Sequence, residues 1–249
     1  MLVVLLVALG VGGATLVGAL LGFIIKKVPH KFNDIVLGFA AGVMLSAAVF
    51  GLISPALEKG TILNTVIVIL GVVGGAIFLS LMDKFIPHLH SLAGKREDGK
   101  ENDSLNKVLL FVFAIGLHNL PEGIAAGVSF GTGNVGDALT VAGGIALQNI
   151  PEGMVIIAPM LAAGISKKRT LVIASLTGLV EVVGTFIGYF AIGFASATLP
   201  FFLAFAGGTM IYVISDEMIP ETHSHGFEKG ATYSLIIGFC VMLLLDVLL

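Results

Sequence analysis

The chain has 249 residues, of which 57% are hydrophobic and only 12% charged, with a formal net charge of −3. A soluble globular domain carries about 25% charged residues, so a fold that meets water over its whole surface is excluded. The small net charge singles out no class of partner and gives no sign of nucleic-acid binding.

The first apolar run, at 2–25, has no basic segment before it and is too long for the core of a signal peptide. It is expected to be a retained spanning helix. Seven more runs follow, at 34–57, 62–83, 107–130, 137–163, 170–195, 199–220 and 231–248. Each is long enough to cross a hydrocarbon core of about 30 Å. The expected fold is an all-α integral membrane protein of eight transmembrane helices, one domain over 1–249. The 33 glycines suit close helix packing through small residues. With no Trp, any aromatic belt rests on Tyr and Phe. Cys240, the single cysteine, excludes an intrachain disulfide and reads as a packed residue.

Most connections are short. The exception, 84–106, carries Lys95, Arg96, Glu97, Asp98, Lys100, Glu101 and Asp103 and reads as a solvated cytoplasmic loop. Orientation follows the Lys and Arg residues. The first, third, fifth and seventh connections hold twelve of the 13, and the even ones hold only Lys59. The odd connections are therefore expected to face the cytoplasm and both termini the outside, in a cell (inner) membrane.

The chain also repeats. An offset of 166 aligns Gly12, Gly18, Gly22 and Phe23 with Gly178, Gly184, Gly188 and Tyr189. It also aligns Phe39-Ala40-Ala41-Gly42-Val43-Met44 with Phe205-Ala206-Gly207-Gly208-Thr209-Met210. Paired helices would run in opposite directions, so helices 1–3 and 6–8 are expected to form an inverted repeat, as are helices 4 and 5. Inverted repeats with a site at their interface are a transporter signature.

The fourth and fifth runs carry the chemistry. Gly116-Leu117-His118-Asn119-Leu120-Pro121-Glu122-Gly123 is matched thirty residues later by Ala146-Leu147-Gln148-Asn149-Ile150-Pro151-Glu152-Gly153. His118 and Glu122 are four apart and share a helix face, as do Gln148 and Glu152. Both motifs begin about ten residues into their helices, roughly half of the ~30 Å core. Carboxylates at that depth are expensive and mark a functional site by default. Pro121 and Pro151 each remove a backbone donor and free the carbonyl four residues before. One imidazole with carboxylate and amide oxygens suits Zn²⁺, Fe²⁺, Mn²⁺ or Cd²⁺ and is poor for Cu(I). The bland alternative is a pair of proline kinks packed by polar residues; two matched copies at one depth argue against it.

Glu181 lies near mid-depth in the sixth run and reads as a ligand, a neighbour of a ligand, or a helix-pairing residue. Asp216 and Glu217 lie toward the cytoplasmic end of the seventh, on an exit path or as interfacial charges. His88 and His90 in the third connection, and His223 and His225 in the seventh, are spaced to catch an emerging ion or are plain solvated residues. Asp246 is a candidate entrance residue. Asp34, Asp83 and Asp137 read as helix-end caps, and His30 as a loop residue.

The doubled His/Gln-Asn-X-Pro-Glu-Gly on the fourth and fifth of eight spans resembles the ZIP (Zrt/Irt-like) divalent metal transporter family, in its bacterial GufA-like branch. The resemblance covers essentially the whole chain. It implies a binuclear midplane site. One metal would be held by His118, Glu122, Gln148 and Glu152. A second would be held by Asn119, Asn149 and Glu181, with Glu122 and Glu152 bridging. It further implies that helices 1, 4, 5 and 6 slide against 2, 3, 7 and 8, within a homodimer. The branch often has Asp where this chain has Asn149. The function expected is uptake of a divalent transition metal by alternating access, with metal as cargo rather than cofactor. An intramembrane metalloenzyme and a proton-coupled transporter of another solute are the competing readings. No His-Glu-X-X-His supports the former.

Overall fold

The computed structural model describes residues 1–24, 29–58, 60–92, 116, 118–194 and 198–248. The chain folds as helices throughout these residues. The first, α1, is Leu2–Ile24. α2 runs His30–Ser46, continues through a π turn at Ala47–Ile53 and closes with Ser54–Leu57. α3 is Ile62–Leu92. α4 covers 116 and 118–128 and tightens into a 3₁₀ turn at Ser129–Thr132. α5 is Val135–Ala162 and α6 is Lys167–Phe194. α7 runs Leu199–Val213, passes through a π turn at Ile214–Met218 and ends with Ile219–Thr222. α8 is Glu228–Leu248. Among the described residues seven helices are long and apolar enough to cross a membrane. The first half of the 107–130 run lies outside the described residues.

Several ends differ from expectation. α3 continues through Leu92, so the stretch 84–92, read as loop, is helical; 93–106 lies outside the described residues. His30 opens α2 rather than lying in a loop. Asp34 is therefore inside the helix and fully buried, not a cap. At α5 the cap is Asn134, whose side chain accepts from Gly136 N at 2.9 Å. Asp137, three residues on, holds the Asn134 amide at 2.7 Å. This arrangement satisfies donors that a helix start leaves open. Gly133 makes the turn before it with φ 82, a conformation that favours glycine. Cys240 is exposed on α8 rather than packed inside.

The two π turns have a common cause. Pro55 and Pro220 follow them directly. A proline ring clashes with the carbonyl four residues back, here those of Gly51 and Asp216, and a locally widened turn makes room. In α7 the widened turn contains Asp216 and Glu217.

Glycines set the helix neighbours. A Cβ on Gly12 would collide with the Gly178 carbonyl, and one on Gly178 with the Gly12 carbonyl, so α1 and α6 touch backbone to backbone. Gly153 meets the Thr15 carbonyl in the same way, and Gly123 that of Glu181, joining α5 to α1 and α4 to α6. Gly42 and Gly238 seat α2 on α8; Gly75 and Gly208 seat α3 on α7. Between these two groups the neighbours are side chains. Gly51 of α2 faces Val141 of α5, and Gly144 of α5 faces Met242 of α8.

The outer face is apolar. Val172, Leu176, Leu179, Val183 and Ile187 form one exposed stripe along α6, and Ile62, Val66, Ile69, Val73 and Ile77 another along α3. Stripes of this size on a protein mark a surface that does not meet water. They agree with a multi-pass membrane protein whose solvent there is lipid.

Candidate metal centre

The centre is assembled from α1, α4, α5 and α6, with α7 closing one side. Gln148 and Asn149 fall at the middle of α5, a 28-residue helix, and Glu181 at the middle of α6, of the same length. His118, Asn119, Glu122, Gln148, Asn149 and Glu181 are all buried. Glu152 is half-buried.

Three groupings form. In the first, Gln148 Nε2 donates to Glu122 Oε1 at 2.7 Å. In the second, Glu181 gathers Thr15 Oγ1 at 2.7 Å and Asn119 Nδ2 at 2.5 Å on Oε1, and Asn149 Nδ2 on Oε2. In the third, His118 Nε2 pairs with Glu217 Oε1 at 2.8 Å. Glu217, which the sequence placed on an exit path or at the interface, thus reaches the motif histidine itself, carried there by the π turn of α7.

Four oxygens are left over. Glu122 Oε2, Gln148 Oε1, Asn119 Oδ1 and Asn149 Oδ1 are buried with no hydrogen-bond donor among the described residues. A buried acceptor left unmatched costs about 1–3 kcal/mol, so four in one region call for a further partner. Three amide oxygens from the two motifs, a carboxylate and a nearby imidazole make a mixed oxygen and nitrogen donor set, the chemistry of a divalent cation site. No three His, Cys, Asp or Glu side chains among the described residues converge on one point. The reason is visible in the pairing: the oxygens left over are mostly amide oxygens, while Glu181 and His118 are turned to other partners.

A cavity of about 900 Å³ reaches this centre. Its wall includes His118, Glu152, Asp216, Glu217, Glu221 and His225. It extends from the motif helices to the start of α2 and the α7–α8 connection. Asp216 is exposed there and Glu217 half-buried.

The remaining candidates separate. His225 Nδ1 lies 3.0 Å from Asp34 Oδ1, a buried partner that sequence reasoning assigned to a helix end. His223 does not join it. Its Nδ1 lies 2.9 Å from the Ile219 carbonyl and its Nε2 3.1 Å from Thr232 Oγ1, so both nitrogens serve the local fold. Asp246 is exposed on α8, away from the cavity wall. The side chains of His88, His90 and Asp83 lie outside the described residues, as does Leu117. Thr15 was missed. The signal existed, since it stands 166 residues before Glu181, the offset of the repeat.

Comparison with known proteins adds the following. A family profile described as "ZIP Zinc transporter" matches residues 93–246. The chain is similar to the zinc transporter GufA of Myxococcus xanthus, 42% identical over 248 residues and 97% of each chain. It is similar to the zinc transporter ZIPB of Bordetella bronchiseptica, 41% identical over 240 residues, 94% of this chain and 77% of that one. It is also similar to the human zinc transporter ZIP11, 31% identical over 320 residues and 94% of each.

Proposed function

The chain belongs to the ZIP family of transporters, and on that premise we propose that it carries divalent transition metal into the cytoplasm by alternating access. It is a multi-pass membrane transporter and not an enzyme; metal is its cargo. Zinc is the first candidate, since the relatives are named zinc transporters, with iron, manganese and cadmium admitted by the same donor set.

The proposed site lies near the midplane. His118, Glu122, Gln148 and Glu152 hold the first ion, and Asn119, Asn149 and Glu181 line a weaker place beside it. The observation that carries this reading is the set of four buried oxygens without donors, on Glu122, Gln148, Asn119 and Asn149, beside His118.

The cavity supports a direction. It opens toward the start of α2 and the α7–α8 connection, which lie on the side holding twelve of the 13 Lys and Arg residues. By the positive-inside rule that side is cytoplasmic. The same rule places both termini outside and favours eight spans, α4 included, in a cell (inner) membrane. Asp216, Glu217 and His225 then line the way out. The mutual packing of Gly12 and Gly178, and the Thr15–Glu181 bond, both at the repeat offset, support an inverted repeat. Backbone contacts within α1, α4, α5, α6 and within α2, α3, α7, α8, with side-chain contacts between, support two bodies that slide against each other; a homodimer is part of the same proposal.

The test is uptake into liposomes by purified protein, with Zn²⁺, Fe²⁺, Mn²⁺ and Cd²⁺ in competition, beside metal analysis of the same protein. Competing uptake that saturates is the result expected. Bound metal with no movement of any of the four would overturn the transport reading.

A further inference from the structure

The cavity has two unlike sides. Its acidic side is made by Glu152 of α5 and by Asp216, Glu217 and Glu221 of α7, and none of the described residues that line it is lysine or arginine. Its other side is apolar. On α5, Pro151, Met154, Val155, Ala158 and Pro159 recur at helical spacing and form one stripe along the wall. At the start of α2, Phe32, Val36 and Leu37 add to it, with Phe32 43% exposed. Carboxylates gathered between low-dielectric walls concentrate cations and turn anions away.

A path for a metal ion alone accounts for the carboxylates and not for the stripe. At ~30 Å³ per water, an ion with six waters fills about 200 Å³, against a cavity of about 900 Å³. Apolar surface left against water is unfavourable. A concave apolar wall with a few convergent polar groups is the build of a small-molecule pocket, which typically measures about 300–1,000 Å³. Met154 and Met218 bring flexible, polarizable thioethers that suit an aromatic ring, and Phe32 suits a cation over its face.

We propose that this cavity binds an amphipathic organic cation, an aromatic body carrying amidinium groups, with the ring against α2 and α5 and the charge against α7. That such a cation holds the cavity open to the cytoplasm and stops transport rests on the function proposed above.

The experiment titrates diamidinophenylindole, an aromatic diamidine whose fluorescence rises on leaving water, into metal-free full-length protein in phosphatidylcholine nanodiscs. Empty nanodiscs give the background. Anilinonaphthalene sulfonate, an anionic dye with the same kind of response, is the counterpart. Saturable binding of the cation, and none of the anion above background, is the result expected. Asp216→Asn and Glu221→Gln should each weaken the cation about two- to fivefold, the scale of one exposed charge pair. Asn33→Lys sets a positive charge in the wall and should weaken it by about tenfold or more, as like charges set together do. Ala158→Phe fills the apolar side and should weaken it with the salt dependence unchanged. Asp216 and Glu221 are exposed, so their conservative variants carry the readout if the other two do not fold. Saturable binding of both dyes would make the cavity a plain apolar pocket and overturn the proposal. Binding of neither, or cation binding that every folded variant leaves unchanged, would overturn it as well. Present on both sides of liposomes, the diamidine should stop Zn²⁺ uptake as the site fills; full uptake with the site occupied would refute the block. Failure of the transport reading looks different: no metal would move in the absence of dye, while the cation still bound.

Discussion

Glu122→Ala separates binding from folding, and the structure sets the size of each effect. Glu122 is buried, with Oε1 bonded to Gln148 and Oε2 without a donor among the described residues. Truncation removes a carboxylate from the bilayer interior, where an ionised side chain costs about 2.5–3.5 kcal/mol. It also strands the Gln148 amide nitrogen, at about 1–3 kcal/mol for an unmatched buried group. The terms oppose each other, so stability without metal should stay within about 2 kcal/mol of the wild type. A cation at 100 times its Kd stabilises a binding-competent protein by about 2.7 kcal/mol, and that increment should disappear. Thermal melts in nanodiscs with and without Cd²⁺, run beside liposome uptake, measure both. Adding Gln148→Leu removes the stranded amide and should leave the metal-free melt no lower than that of Glu122→Ala alone. A Glu122→Ala protein that keeps both the full Cd²⁺-dependent shift and normal uptake would refute the reasoning, because Glu122 would then be no ligand.

Two further outcomes follow from topology and packing. With Cys240 replaced by Ser, a single cysteine at Val135, exposed where α5 begins, should react with an impermeant thiol reagent outside intact cells. One at Lys168 should not; the reverse pattern inverts the orientation. Gly42→Ala drives a methyl into the Leu235 backbone of α8 and should destabilise by about 1–3 kcal/mol, the usual scale of overpacking. Gly144→Ala presses on Met242 Sδ and Cε at 2.8 and 2.9 Å, the end of a flexible side chain, with Ala47 Cβ at an ordinary 3.5 Å, and should lower the melting point less. Equal losses in the two variants would count against two rigid groups joined by an adaptable seam.

Most helix positions were legible because apolar runs end at charges, prolines and glycines. The ends moved where that punctuation misled. Pro87 and the nearby Lys84, His88 and His90 read as a loop, yet α3 runs to Leu92. Four residues of extra helix before Asp34 changed its meaning from a terminal charge to a buried side chain beneath the α7–α8 connection. Its partner, His225, lies 191 residues away, and no local pattern predicts that contact. The motif faces were legible from the i, i+4 spacing, and the sequence kept the six motif residues and Glu181 together as one group. It did not show how they divide. The His118–Glu217 pair depends on a π turn that rotates the end of α7. Pro220 was the visible sign of that turn, but the direction of the rotation is set by packing.

The division of charges bears on why such a site would release what it binds. On the proposed function, Glu122 and Glu152 bring −2 and balance one divalent ion. Glu181 brings a third charge, but it is already shared among Thr15, Asn119 and Asn149. Unit charges 4 Å apart interact by about 4 kcal/mol at an effective dielectric of 20, and two dications by about four times that. Three carboxylates leave two dications uncompensated by one charge, so Asn149 favours one tightly held ion at a time. On the proposed function, release would need a competitor for the ligands, and Glu217 would be placed to act as one: it sits on α7, in the other packing group, and pairs with the imidazole of His118 beside the cavity. On that reading, a His118 paired with Glu217 would be withdrawn from the ion, which would be left with oxygens alone beside the cavity toward Asp216 and His225. On the same reading the ion would regain His118 only by breaking the pair, and occupancy of the site would be linked to contact between the two helix groups through one nitrogen.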